Sequence, residues 1–366
     1  MTANTGKIPL KKYIDPQTGT WGSALPGKIF TYFAWGLIFV LSVAVCFYYS
    51  LTKPIVITSA NVSDEKIFDL KDTIPLSLSA QTPSKTVVFT VPEGVSASDI
   101  LTENLYNERR FLVHVCTESS TYYGSLSPTG IPVDAGRVSG DSGLVKEVGV
   151  IYDKTGALLI FDMSGVYEYS LTMNDNTVTM EAVNPGDIYD YIVVMDSGTG
   201  DEVAGVAADV ADRCAKLLYP EGIRVYITDP DLAPGECVPA SELVNETDAD
   251  IYIGLGVSHD GTDHHGLRTW YDSLYYVPGY GSIELCESCL KNTAIETSNR
   301  ALGISEAPEG SVLYDIDMPA VYMTLGNADN PDEAELMRED SYRDRLARGL
   351  YKAVMEAAGM MGDSEG

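Results

Sequence analysis

Hydrophobic and polar positions follow three successive patterns along this chain. Up to Lys28 the residues are mostly polar. Ile29 to Thr52 is then an unbroken uncharged stretch, Ile29-Phe-Thr-Tyr-Phe-Ala-Trp-Gly-Leu-Ile-Phe-Val-Leu-Ser-Val-Ala-Val-Cys-Phe-Tyr-Tyr-Ser-Leu-Thr52. At ~1.5 Å rise per residue it can cross a hydrocarbon core of ~30 Å, and its aromatic residues sit towards both ends. A transmembrane helix over residues 29–52 is expected. After Pro54 the period shortens to two. Alternating runs at Thr86–Val91, Phe111–Cys116, Val148–Tyr152, Ala157–Phe161, Tyr167–Thr172 and Thr177–Ala182 predict strands, separated by turn signals such as Asp153-Lys-Thr-Gly156 and Asn174-Asp-Asn176. Ser119 to Ser142, dense in Ser, Gly, Pro and Thr, reads as a long loop.

The pattern changes again at Asn184-Pro-Gly-Asp-Ile-Tyr189. Strands predicted at Tyr191–Asp196, Arg224–Thr228, Ile251–Gly256, Leu267–Tyr271 and Ala320–Leu325 now alternate with helices at Val203–Leu218, Ser241–Asn245, Ser282–Thr297 and Asp332–Ala358. Such alternation predicts an α/β fold with a mostly parallel sheet flanked by helices, preceded by a β-rich domain and one transmembrane helix. The expected organisation is a tail over 1–28, the membrane helix over 29–52, a β-rich domain over 54–184 and the α/β domain over 187–360. Within the latter, Ile192-Val-Val-Met-Asp196-Ser-Gly-Thr-Gly-Asp201 reads as strand, glycine-punctuated loop and helix start. Loops at the carboxyl ends of strands are where open α/β sheets hold ligands, so this loop is the candidate site.

Charge fixes orientation and excludes some partners. Lys7, Lys11, Lys12 and Lys28 face the single acid Asp15 before the apolar stretch, which places the N-terminus in the cytoplasm and the bulk of the chain outside. The expected location is the cell membrane, with a single-pass signal anchor. No small residues follow the apolar core to form a cleavage site, and Val43-Ala-Val-Cys46 lacks the small residue a lipobox needs before its cysteine. A net charge of −29 argues against nucleic acid or anionic lipid bound through a basic face. The six cysteines are too scattered for a disulfide framework, and the pairing of Cys214, Cys237, Cys286 and Cys289 stays open. Cys286-Glu-Ser-Cys289 lies in a helical pattern with no second pair beside it, and reads as two small apolar residues on one face rather than a metal or redox pair.

Several segments of the second half carry a family resemblance. They are Asn184-Pro-Gly-Asp-Ile-Tyr-Asp-Tyr-Ile-Val-Val-Met-Asp196, Gly222-Ile-Arg-Val-Tyr-Ile-Thr-Asp229, Ala249-Asp-Ile-Tyr-Ile-Gly254, Asn299-Arg300, Met318-Pro-Ala-Val-Tyr-Met-Thr-Leu-Gly326 and Asn330-Pro-Asp-Glu333. In order and spacing they resemble the zinc-dependent N-acetylmuramoyl-L-alanine amidases of bacterial cell walls. The preceding β-rich region is similar in general pattern to the AMIN-like domains that localise such enzymes. The resemblance implies a zinc held by two histidines and a glutamate, with a second glutamate as general base, so that metal-bound water attacks the amide. At the first histidine position this chain has Thr199, at the second Gly256, and at the general-base position Thr324; Glu202 is the one retained ligand candidate. Glycine offers no ligand, and a threonine hydroxyl replaces neither imidazole nor carboxylate.

The resemblance therefore implies an amidase-like pseudoenzyme without a cofactor, binding peptidoglycan or a cell-wall, division or sporulation protein along a groove near Asp196, Asn299 and Arg300. The alternative is an active divergent zinc amidase, a hydrolase whose metal site is rebuilt with ligands from among Glu202, His259, His264 and His265. Those histidines lie in Ser258-His-Asp-Gly-Thr-Asp-His-His-Gly266, which is equally an exposed polar turn. Glu202 in turn suits a helix N-terminus by its charge alone.

Overall fold

A computed structural model describes residues 13–14, 21–22, 73–76, 78–80, 84–117, 122–123, 138–140, 143–152, 155–198, 205–229, 232, 237–259, 261, 264–274 and 279–363. The chain divides into two compact units, residues 1–54 and 55–366. In the first, β1 (Tyr13–Ile14) pairs antiparallel with β2 (Trp21–Gly22), a hairpin within the predicted tail. The predicted transmembrane stretch 29–52 lies outside the described residues. Among the described residues, no helix is long and apolar enough to cross a membrane.

The second unit begins with two five-stranded sheets. Their strands are β3 (Ile74–Pro75), β4 (Leu78–Ala80), β5 (Thr86–Thr90), β6 (Ile100–Leu105), β7 (Arg110–Cys116), β8 (Val138–Gly140), β9 (Val145–Tyr152), β10 (Gly156–Met163), β11 (Glu168–Asn174) and β12 (Thr177–Val183). The sheet orders are β3-β9-β10-β7-β6 and β11-β12-β5-β8-β4. Alternation explains the sandwich: Val87 and Phe89 of one sheet and Val113, Val115, Leu159 and Phe161 of the other are all buried in one core, with the Phe89 and Phe161 rings 5.8 Å apart.

Each alternating run predicted here forms a strand, while β3, β4, β6 and β8 were not predicted. β6 was hidden by its polar residues Thr102, Glu103 and Asn104. The stretch read as a long loop contains β8, and it contributes Tyr123, which is fully buried and donates its hydroxyl to the carbonyl of Thr90 at 2.9 Å. His114 is half-buried on β7, its Nε2 lying 3.2 Å from Thr155 Oγ1.

The remaining elements are β13 (Ile192–Asp196), α1 (Val206–Leu218), β14 (Arg224–Ile227), α2 (Ala240–Thr247), β15 (Ile251–Ser258), β16 (Leu267–Tyr271), α3 (Ser282–Thr297), β17 (Ala301–Glu306), β18 (Ala320–Asn327), α4 (Pro331–Leu336) and α5 (Asp340–Asp363). They build a six-stranded sheet ordered β14-β13-β15-β18-β16-β17, in which only the β16–β18 pair is antiparallel. One face packs Val193, Met195, Ile253, Leu255, Val321 and Met323 against α1, α3 and α5. The other packs Ile192, Val194, Tyr226 and Tyr252 against Leu243 and Val244 of α2 and against Leu313 and Ile316. Both faces are covered, which is why the central strands read as continuous apolar runs. Cys214, Cys286 and Cys289 are free and fully buried in the first of these cores. Burial pushes the Cys286 thiol up to about 12, so the C-x-x-C serves packing.

One predicted helix is corrected and one strand appears that was not predicted. The helix expected over Asp332–Ala358 is two helices. Asn330 caps the first, its Oδ1 accepting from the amides of Asp332 and Glu333, and a turn at residues 337–339 separates them, where Arg343 Nε donates to the carbonyl of Met337 at 2.7 Å. β17 was not predicted, because a half-exposed edge strand interrupted by Gly303 has little apolar signal. The α3–α5 crossing is close enough to need Gly349, since a Cβ there would lie 2.4 Å from the Cα of Thr293.

The sandwich and the α/β layers belong to the same compact unit and are bonded directly. Val166, between β10 and β11, joins the α2-side core. Arg109 reaches Glu246 with Nε at 3.0 Å and Nη2 at 2.6 Å. Arg224 pairs with Glu168 at 2.9 Å and lies 4.5 Å from the ring centroid of Tyr226, whose hydroxyl donates to the same carboxylate.

Candidate functional site

The connection from β13 runs through α1 to β14 on one side of β13, and the next returns through α2 to β15 on the other. Strand order therefore reverses beside the carboxyl end of β13, where open sheets form their ligand crevice. Asp196 ends β13 at this point, half-buried, and both neighbouring strands hold it. Its Oδ1 accepts from Thr228 Oγ1 at 2.6 Å and from the amide of Gly198 at 3.0 Å, and its Oδ2 accepts from the Tyr252 hydroxyl at 2.8 Å. Burial first, and then this carboxylate, holds the Tyr252 phenol well above its usual range, so it remains a neutral donor at physiological pH. Ser197 donates to the carbonyl of Thr228 at 3.3 Å rather than to a base.

Register assigns the rest of the site. Asp196 pairs with Gly254, Gly254 with Tyr322 and Tyr322 with Trp270; one step along, Gly256 pairs with Thr324 and Thr324 with Arg268. Paired and alternate residues share a face, so all seven lie on the same side of the sheet. Tyr322 lies across the two glycines. A Cβ added at Gly254 would come within 2.9 Å of Tyr322 Cδ2, and one at Gly256 within 1.9 Å of Tyr322 Oη and 2.9 Å of its Cζ. Trp270 adjoins it with ring centroids 5.7 Å apart at 52°. Thr324, at the position where the resemblance implies the general base, is buried at 5% exposure and carries no carboxylate.

The zinc implied by the resemblance does not fit these residues. Gly256 has no donor, and the space its missing side chain would need is filled by a phenol. Thr324 supplies no base. Thr199 and Glu202 lie outside the described residues. Among the described residues, no three His, Cys, Asp or Glu side chains converge as ligands would. His259, His264 and His265 are all exposed; His259 Nδ1 lies 3.7 Å from Asp329 Oδ1, and the carbonyl of His264 accepts from Asn327 Nδ2 at 2.9 Å.

The expected groove residues differ in exposure. Asn299 turns inward, its Nδ2 donating to Glu333 Oε1 at 2.7 Å and to the Tyr342 hydroxyl at 2.8 Å, while Arg300 is exposed. Glu333, in the Asn-Pro-Asp-Glu segment, is 3% exposed and ties this end of the sheet together. It also accepts from the amides of Gly266 at 3.0 Å and Asn327 at 2.8 Å. Sequence reasoning missed Tyr252, Trp270 and Tyr322, although period-two alternation within the predicted strands already placed each on a face.

Residues 195–356 match the profile of the family described as N-acetylmuramoyl-L-alanine amidase. The germination-specific N-acetylmuramoyl-L-alanine amidase of Bacillus subtilis (strain 168) is 24% identical over 227 residues, which cover 54% of this chain and 91% of that protein. Among solved structures, an N-acetylmuramoyl-L-alanine amidase from Clostridium difficile 630 is 23% identical with a TM-score of 0.41, covering 48% of this chain and 98% of its own. An amidase from Clostridioides difficile, solved in complex with a lipoprotein, is 14% identical with a TM-score of 0.40, covering 46% and 99%. The profile match runs from the end of β13 into α5, so this part of the chain, a little under half of it, is similar to the N-acetylmuramoyl-L-alanine amidases.

Proposed function

We propose that this chain is a membrane-anchored, extracytoplasmic amidase-like protein that binds peptidoglycan, or a protein partner at the cell wall, without hydrolysing it. The observation that carries this reading is the close approach of the Tyr322 ring to Gly256. A lost histidine alone could be replaced from nearby, but here the volume a side chain at Gly256 would need is occupied by the Tyr322 ring. The buried Thr324 in place of the general base supports the same conclusion. The uncharged stretch from Ile29 to Thr52, with lysines before it, supports anchoring, and the β-sandwich ahead of the sheet supports an AMIN-like localising role.

Elemental analysis of the purified full chain, combined with a muropeptide-release assay on sacculi, tests the reading. The expected result is sub-stoichiometric zinc and no peptide release, with retention on insoluble peptidoglycan. Stoichiometric zinc with turnover would replace this reading by the divergent amidase built with ligands from among Glu202, His259, His264 and His265.

A further inference from the structure

Among the described arginines of this acidic protein, Arg268, Arg300, Arg338 and Arg345 make no ion pair with a carboxylate, and of these Arg268 is the one that register pairs with Thr324 on the site face. Arg109, Arg110, Arg213, Arg224, Arg343 and Arg348 each pair with a carboxylate. Arg268 is half-buried on the site face, and among the described residues its guanidinium has no ion-pair partner; its one neighbour of note is Trp270, whose ring centroid is 6.0 Å from Cζ. In a chain with 53 acidic and 24 basic residues, a site arginine without an acid leaves its planar fork open to an external carboxylate.

Its surroundings define the rest of the ligand. Tyr322 rests on the two glycines and Trp270 is tilted beside it; both pack in part against the α2-side core and stay half-buried, so each ring keeps part of its surface exposed on the site face. Aromatic rings of this kind accept the apolar C–H face of a sugar ring, while the polar edge of the sugar needs hydrogen-bonding groups at the rim. Asp196 supplies one. A carboxylate has about four acceptor sites, and three donors are bound here, leaving Oδ2 able to take a hydroxyl or amide hydrogen.

We propose that this face binds a pyranose bearing a free carboxylate, stacked on Tyr322 and Trp270, with its acid on Arg268 and a hydroxyl or amide on Asp196. The proposal rests on the non-hydrolytic wall-binding reading and narrows it. Hydrolysis of an N-acetylmuramoyl–L-alanine bond adds water across the amide, leaving an amine on the peptide and a free carboxylate on the sugar. A site selecting the acid form therefore reads the product of an amidase, whereas the amidated sugar of intact wall offers Arg268 no charge.

The test uses the full chain carrying Trp21→Phe and Trp35→Phe, so that Trp270 is the only tryptophan. Its fluorescence is titrated with N-acetylmuramic acid and with N-acetylglucosamine, a matched pair differing in the carboxylate-bearing substituent. Saturable change with N-acetylmuramic acid, at least about tenfold tighter than with N-acetylglucosamine, is expected. Arg268→Gln should erase that preference, Arg268→Lys should restore part of it, and Tyr322→Leu should weaken both sugars, with circular dichroism unchanged in each. Equal binding of the two sugars, or binding of an L-alanyl-D-glutamate peptide in place of either, would overturn the proposal. Co-sedimentation with sacculi, intact and amidase-treated, separates the two levels: retention without preference for treated sacculi removes this inference and leaves wall binding standing. Peptide release from intact sacculi by the chain itself removes the underlying reading.

Discussion

The phenolic oxygen of Tyr106, in the β-sandwich, donates to the carbonyl of Ile227 at 2.9 Å and accepts from the amide of the same residue at 3.0 Å. Asn107 Nδ2 donates to that carbonyl as well, and the carbonyl of Asn107 accepts from the amide of Val238. The sandwich thus completes the hydrogen bonding of edge strand β14 just before Thr228, the residue that orients Asp196. An exposed sheet edge is covered and the site is braced by the same contact.

Tyr106→Phe removes one hydroxyl and leaves the Ile227 amide without its acceptor, whereas the Ile227 carbonyl keeps Asn107. An orphaned, partly buried amide costs about 1–3 kcal/mol. The variant should lose that much in urea unfolding, and amide exchange should accelerate at Ile227 and Thr228 ahead of the strands on the far side of the sheet.

Glu333 is the corresponding brace at the other end of the site. Its carboxylate accepts three N–H donors, from Gly266, Asn299 and Asn327, in a buried setting. Glu333→Gln turns an amino group towards donors that need acceptors and removes the charge that strengthens those bonds. The expected loss is about 2–3 kcal/mol, read as a lower denaturation midpoint at unchanged m-value. Limited proteolysis should then cut first in the histidine loop, which Gly266 anchors.

Acid should weaken the α1–α5 contact in a defined window. Burial pushes the Asp209 carboxyl up, but hydrogen bonds from Arg213 and Arg343, at 3.0 Å each, outweigh it and hold the group below its ordinary value. A depressed folded-state pKa contributes stability above the unfolded value of about 3.9, and this is lost as pH falls through the folded value. Asp209→Asn should therefore cost about 1 kcal/mol at pH 7, a figure kept small because the group is partly solvated. The gap between parent and variant should close progressively below about pH 4. A gap that widened in acid would refute the assignment.

The sequence made the site's framework legible and left its floor obscure. Ile192–Asp196 and Ile251–Ser258 announce themselves as buried strands because parallel strands covered on both faces must be apolar throughout. That Gly256 and Thr324 stand where the family resemblance implies a histidine and a glutamate was readable from the sequence. What filled the lost space was not, because Tyr322 reaches Gly256 from a neighbouring strand more than sixty residues away, a relation fixed only by register. The break between α4 and α5 was hidden for a different reason: no Gly or Pro marks residues 337–339, and the carbonyl of Met337 is satisfied by a side chain of the following helix.

The contact between Tyr322 and Gly256 makes the closing of the site measurable. Gly256→Ala places a Cβ 1.9 Å from the tyrosine hydroxyl oxygen and 2.9 Å from Cζ, so the ring must move, with an expected cost of about 1–3 kcal/mol. Tyr322→Val removes the obstruction and, taken alone, leaves a cavity above the glycines, costing about 2–4 kcal/mol. If the two residues share one volume, the double variant should be more stable than the sum of the single losses predicts, by about 1–2 kcal/mol in a double-mutant cycle. Gly256→His carries the argument to function. In the parent background it should unfold more easily and bind no added zinc. Combined with Tyr322→Val it should recover stability yet still fail to hydrolyse muropeptides, because Thr324 offers no general base. Additive losses in the cycle would mean that Tyr322 does not occupy the space of the missing side chain, and the pseudoenzyme reading would lose its main support.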